Sequence, residues 1–231
     1  NSSASTASAA VTPVVPYPTI CTVSMGGGTT KNFLCHNLGA DNSLDPHTPV
    51  VGLQGAYIQW GQRGPTGDSR VTWQTAANTA NFAAAPTSGN ANADAISGWS
   101  NTGAANGSWA ATKNANDPCP TGYRVPTSAE WTAVNTNNTA SRTGTFTLGP
   151  TEYGSALHYG PNASTKALTL PAAGYRSDTN GSLSSRGNYG FYWGSTENGT
   201  NAFGLVFNSS TVYPASYGNR TGGFSLRCIA E

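Results

Sequence analysis

Cysteine, histidine and carboxylate are the side chains from which a chemically active site could be built, and this chain uses all three sparingly. Its four cysteines are Cys21, Cys35, Cys119 and Cys228. None forms a C-x-x-C pair, so the spacing of a zinc ribbon or a thioredoxin-like redox centre is missing. Four cysteines allow three pairings. Joining Cys21 to Cys35 and Cys119 to Cys228 would close one short and one long loop, the longer worth roughly 3–5 kcal/mol in the chain-entropy picture; four buried free thiols are the alternative. His36, His47 and His158 lie far apart without ligand spacing, which points to solvated or structural imidazoles. Asp41-Asn42-Ser43-Leu44-Asp45 sets oxygen ligands at alternate positions, a weak calcium-loop pattern without the glycine and closing glutamate of an EF-hand. No other metal or cofactor is expected. Glu197 and Arg227 interrupt apolar stretches. Since a buried charge needs partners, both are expected in internal hydrogen-bonded networks rather than on a ligand.

Whatever positions these residues does so with little charge. Charged side chains make up 9% of the 231 residues, against about a quarter in ordinary soluble proteins. Gly, Asn, Ser, Thr and Ala replace them, a composition common in extracellular bacterial proteins. The net charge of +1 gives no electrostatic case for nucleic acid or an anionic membrane. No apolar run approaches the roughly 20 residues of a membrane-spanning helix, so direct insertion is not expected. Residues 1–18 open without basic residues or a long apolar core, unlike a signal peptide. The chain therefore reads as a mature or excised piece of a longer protein. Pro13, Pro16 and Pro18 make this opening a linker, or a docking segment through which copies self-associate.

From residue 19 to 231 one domain is expected. Ile20–Val23 and Lys31–Leu38 read as strands around the turn Gly26-Gly27-Gly28, and Gly55–Trp60 as another strand. Gly61–Asp117 has little periodicity, and Trp73, Trp99 and Trp109 are expected to pin it to a core. Thr127, with Glu130 three positions on and then Trp131 and Val134, predicts a capped helix. Thr139–Leu148 and Ala167–Tyr175 look extended. Ala202–Asn208 alternates, with Phe203, Leu205 and Phe207 on one side. Phe224–Ile229 alternates again, and the C-terminal third predicts an antiparallel meander with one buried face.

Five phrases in order carry a resemblance. They are Asn32-Phe33-Leu34-Cys35-His36-Asn37-Leu38-Gly39; Asp117-Pro118-Cys119-Pro120-Thr121-Gly122-Tyr123-Arg124-Val125-Pro126-Thr127 running into Glu130-Trp131; Leu170-Pro171-Ala172-Ala173-Gly174-Tyr175-Arg176; Tyr192-Trp193-Gly194-Ser195-Thr196-Glu197; and Gly223-Phe224-Ser225-Leu226-Arg227-Cys228. Together they resemble the Fibrobacter succinogenes major paralogous domain, a family of Bacteroidetes and Fibrobacteres surface proteins, over about residues 30–231. Gly194 departs from the family, which often has Ser there. The resemblance implies an α+β, C-type-lectin-like fold related to formylglycine-generating enzymes, with a small twisted antiparallel sheet, one or two helices and long irregular loops. It also fits a Cys119–Cys228 bond. Some members look like variable proteins of diversity-generating retroelements, whose C-terminal segment changes while the scaffold stays fixed.

The implied function is a secreted or cell-surface recognition module, part of an adhesin, that binds a protein or glycan through residues 181–227. The candidate ligand contacts are Ser184, Ser185, Asn188, Tyr189, Phe191, Gly204, Val206, Asn208, Tyr213, Tyr217 and Gly222. Tyr with Ser, Gly and Asn is the mixture antibody loops use, rigid amphipathic area beside adaptable hydrogen-bonding groups. Trp193, by contrast, is expected in the core. Two rival readings are a subunit of a surface filament or array and an enzyme like the formylglycine-generating relatives. The second is disfavoured because those enzymes use paired cysteines near the C-terminus, where this chain has only Cys228.

Overall fold

The computed structural model describes residues 19–64, 82–83, 94–149 and 151–231. Strands β1 (Ile20–Gly26) and β2 (Thr29–Leu34) form a hairpin. Its turn takes positive φ at Gly27 (+58°) and Gly28 (+77°), which only glycine adopts freely. β3 (Tyr57–Gln59) and β4 (Phe82–Ala83) follow, then β5 (Tyr123–Arg124) leads into helix α1 (Ser128–Asn137). The expected cap is present: the Thr127 side chain accepts from the Glu130 N–H at 3.2 Å, and Glu130 accepts from the Thr127 N–H at 2.8 Å. Glu130 is also held by Arg124 at 2.6 and 2.8 Å.

β6 (Thr139–Thr143), β7 (Ala156–Gly160) and β8 (Leu168–Pro171) make a three-stranded sheet. β9 (Tyr175–Arg176) and β10 (Leu183–Ser184) pair with each other. β11 (Gly190–Asn198), β12 (Asn201–Phe207) and β13 (Val212–Asn219) form the expected antiparallel meander. β14 (Gly223–Phe224) and β15 (Ile229–Ala230) finish the chain in two different sheets, ordered β10-β9-β14-β3-β4 and β1-β2-β15-β5. Small antiparallel sheets, one α-helix and long loops among the described residues are consistent with the expected α+β class and equally with a mainly β one.

Both disulfides pair as the first of the sequence alternatives has them, Cys21–Cys35 and Cys119–Cys228. Structural disulfides belong to proteins that fold in oxidising, non-cytoplasmic compartments. No helix among the described residues is long and apolar enough to cross a membrane. Residues 1–18 and Trp73 lie outside the described residues, while Trp99 and Trp109 are buried as expected, Trp109 against Trp60 at 5.5 Å.

Two cores flank the meander. On one face Tyr192, Leu205 and Phe207 meet Trp131 and Val134 of α1, together with Phe33 and Leu157. On the other, Trp193 and Ala202 join Trp60, Trp109 and Phe224. The meander was expected to bury one face only. Because loops and β14 cover the second face, residues 220–229 are buried throughout, and the alternation expected over Phe224–Ile229 is not that of one half-buried strand.

Candidate functional site

The frame is set by buried polar anchors. Arg227 is 1% exposed. It donates to Asn37 Oδ1 at 2.7 Å, to the Thr169 carbonyl at 2.7 Å and to the Leu34 and Cys35 carbonyls. Burial lowers its pKa to about 10, yet the fork of donors suits neutral acceptors diverging in several directions. It is the internal network expected from the sequence, joining β2, β8 and the C-terminal segment. Glu197 accepts from the Gly107 N–H and ties the 103–110 loop to β11. Trp193 is core: fully buried, stacked on Phe224 at 3.9 Å, its indole N–H donating to the Ile58 carbonyl at 2.8 Å.

On this frame the register builds one row. Ser184 of β10 is paired with Tyr175 of β9. The Tyr175 ring lies 4.7 Å from that of Phe191 on β11. Phe191 pairs with Val206 on β12, and Val206 with Tyr213 on the edge strand β13. Directly paired residues present their side chains on the same face. Two paired stretches, Ser184–Tyr175 on β10 and β9 and Phe191–Val206–Tyr213 on β11, β12 and β13, are joined into one row by the Tyr175–Phe191 contact and the bridge between Gly174 and Gly190. Tyr213 is 50% exposed and the other four are half-buried. Tyr189 flanks the row 5.9 Å from Phe191, and Phe224 supports it from below, 5.1 Å from Phe191 and 6.1 Å from Tyr175.

Local geometry fixes this arrangement. Ser185 sits at φ +58°, and its carbonyl accepts from the N–H groups of Asn188 (3.2 Å) and Tyr189 (3.0 Å), closing the turn that delivers Tyr189. Gly174, at φ +70°, passes so close beneath the Ser184 carbonyl and the Arg186 N–H that a Cβ there would collide with both. The Tyr189 carbonyl accepts from the Gly174 N–H at 2.9 Å, which locks the turn to the next sheet.

Of the sequence candidates, the row and its flank gather Ser184, Ser185, Asn188, Tyr189, Phe191, Val206 and Tyr213. Four are placed elsewhere. Tyr217 is 63% exposed, but β13 carries one extra residue between Tyr213 and Ser216 relative to β12. That bulge turns Tyr217 to the opposite face, opposite Phe203. Gly204 and Gly222 are buried rather than outward, and a Cβ on Gly204 would strike the Tyr192 carbonyl. The Asn208 side chain caps the β12–β13 turn, accepting from the N–H groups of Ser210 (3.0 Å) and Thr211 (2.9 Å). Sequence reasoning missed Tyr175: the only signal was a tyrosine closing an apolar segment, and the pairing of β9 that aligns it was invisible.

A family model for the Fibrobacter succinogenes major domain matches residues 108–230. The chain belongs to that family. No curated protein and no solved structure matches it. The span matched to the Fibrobacter major domain takes in α1, the whole row and Arg227, whereas β1 to β4 precede it.

The remaining candidates are occupied internally. Asp41 accepts from the Ser43 N–H (3.0 Å) and hydroxyl (2.6 Å), and Asp45 from the His47 N–H (3.0 Å) and the Thr48 hydroxyl (2.6 Å). These hydrogen bonds hold both carboxyls below their usual pKa. Among the described residues no three His, Cys, Asp or Glu side chains converge as a metal set. The histidines are structural. His36 Nε2–H donates to the Leu44 carbonyl at 2.9 Å. His47 and His158 both hydrogen-bond the single hydroxyl of Thr169, at 2.9 and 2.8 Å, and His158 reaches Thr143 Oγ1 at 2.9 Å with its other nitrogen.

Proposed function

We propose that this is a non-catalytic recognition domain with a C-type-lectin-like fold, displayed outside the cell as part of a bacterial surface adhesin, and that it takes a protein or glycan ligand on the face bearing Tyr175, Phe191, Val206 and Tyr213. The carrying observation is the row itself. It gathers partly exposed aromatic side chains from separate strands onto one face, while the largest aromatic residues of the frame, among them Trp60, Trp109, Trp131 and Trp193, are buried. Isolated surface aromatics need no explanation, whereas a contiguous set does. Rigid rings with few rotatable bonds also lose little entropy on binding. The two disulfides support export.

The test is an array of purified secreted proteins and glycans probed with the chain. Binding to a target should be lost in Y213A and retained in Y217A, two exposed tyrosines on opposite faces of one strand. Equal loss in both, or loss in Y217A alone, refutes this face.

A further inference from the structure

Resting on that face, we infer that its ligand is a neutral polysaccharide, laid across the strands and bound without calcium. The first argument is charge. None of Ser184, Tyr175, Tyr189, Phe191, Val206 and Tyr213 is an Asp, Glu, Lys, Arg or His. Protein partners are ordinarily steered and registered by charged groups around an interface, and the row itself supplies none. An uncharged strip complements an uncharged ligand.

The second argument is the alternation of chemistry along the row. A pyranose ring offers an apolar C–H face and a rim of hydroxyls. The row offers a half-exposed ring at Tyr213, partly exposed rings at Tyr175 and Tyr189, an aliphatic spot at Val206, and hydroxyl groups at Ser184 and Ser185. Tyrosine satisfies both halves, because its ring is apolar and its phenol donates and accepts.

The third argument is dimension. The row crosses five strand segments, and a strand spacing of about 4.8 Å makes it about 19 Å long, room for a run of sugar rings rather than one. Its end at Tyr213 lies on an edge strand, so a chain longer than the row can continue past it. None of the row's residues carries a carboxylate, the usual anchor of a calcium site.

The test is affinity electrophoresis of the 231-residue chain through native gels cast with a mannan, a xylan, a mixed-linkage β-glucan or soluble starch. The expected result is retardation in at least one gel, unchanged by EDTA and by about 0.5 M NaCl. Y213A should weaken the apparent affinity about tenfold, the scale of one lost aromatic contact. V206K should abolish retardation, and Y217A should leave it intact. Circular dichroism of each variant separates loss of binding from loss of fold; Y213A, altered at an exposed position, is the decisive one. Retardation in none of the gels, or equal retardation of wild type and Y213A, overturns the inference. If no polysaccharide binds but a protein on the array does so through Tyr213, the sugar assignment fails and the face stands. If nothing depends on Tyr213, both fail.

Discussion

His158 gives the sharpest quantitative expectation. It lies 1% exposed on β7, in register with Thr169 on β8. Burial, followed by the positive charges of Lys166 and His47, depresses its pKa from 6.5 to about 4. The native state therefore binds fewer protons than the unfolded chain, and stability rises with pH across this interval. The contribution is whole above pH 6.5, falls as the pH drops and is lost near pH 4. The full shift is worth about 3 kcal/mol, of which about 2 kcal/mol disappears between pH 7 and pH 5. His36 and His47 are also held low by burial and add losses of the same sign. Asp41, Asp45 and Glu130 have depressed pKa values as well, so their contributions fall away mainly below this window. Urea unfolding followed by tryptophan fluorescence at pH 7, 6 and 5 measures the slope. H158Q, whose amide can take over the bond that Nε2 makes to Thr143 but not also the one that Nδ1 makes to Thr169, should lower stability at pH 7 and remove about 2 kcal/mol of the pH dependence. A variant that keeps the wild-type slope would show that His158 is not the titrating group.

Three further expectations concern the frame. R227M should destabilise by about 3–5 kcal/mol, because it strands buried carbonyls and Asn37, and R227K should recover only part, since a single ammonium cannot span Asn37 and Thr169 together; urea midpoints of the two variants measure this. Removing Cys119–Cys228, which spans 109 residues, should cost about 4–5 kcal/mol, against about 3 for Cys21–Cys35, which spans 14; paired serine variants give the ranking by thermal unfolding. T127A should cost about 1 kcal/mol through the lost cap, read from the same denaturation curves.

Features that depend on neighbours in the chain could be read from the sequence. The Thr127–Glu130 cap is one, since both partners lie within a turn. The alternation of Ala202–Asn208 is another: Phe203, Leu205 and Phe207 do share a face, although Phe203 lies nearer solvent than the other two. The resemblance supplied the family and the C-terminal span. Features that depend on pairing between distant segments could not be read. Nothing in Val212–Asn219 marks the extra residue of the bulge, so Tyr213 and Tyr217, four positions apart, were expected on one surface and occupy two. Gly222 was expected outside as one of the positions between the C-terminal anchors, but this segment is buried between sheets.

That bulge also shapes the face. Without it, β13 would present Tyr213 and Tyr217 together, and the row would end in two tyrosines stacked along one strand. With it, Gly218 comes to lie against Phe224 and Trp193, where an added Cβ would approach the Phe224 ring at 2.7 Å. The end of β13 thus closes the second core while Tyr213 stays free at the row's margin. Core packing and the proposed recognition surface are separated along one strand: Gly218 packs against the second core, and Tyr213 stands on the proposed face. Variation at Tyr213, Val206, Tyr189 and Ser184 should be tolerated by the fold, whereas variation at Gly218 should not. Sibling sequences that differ at Gly218 as freely as at Tyr213 would contradict this division.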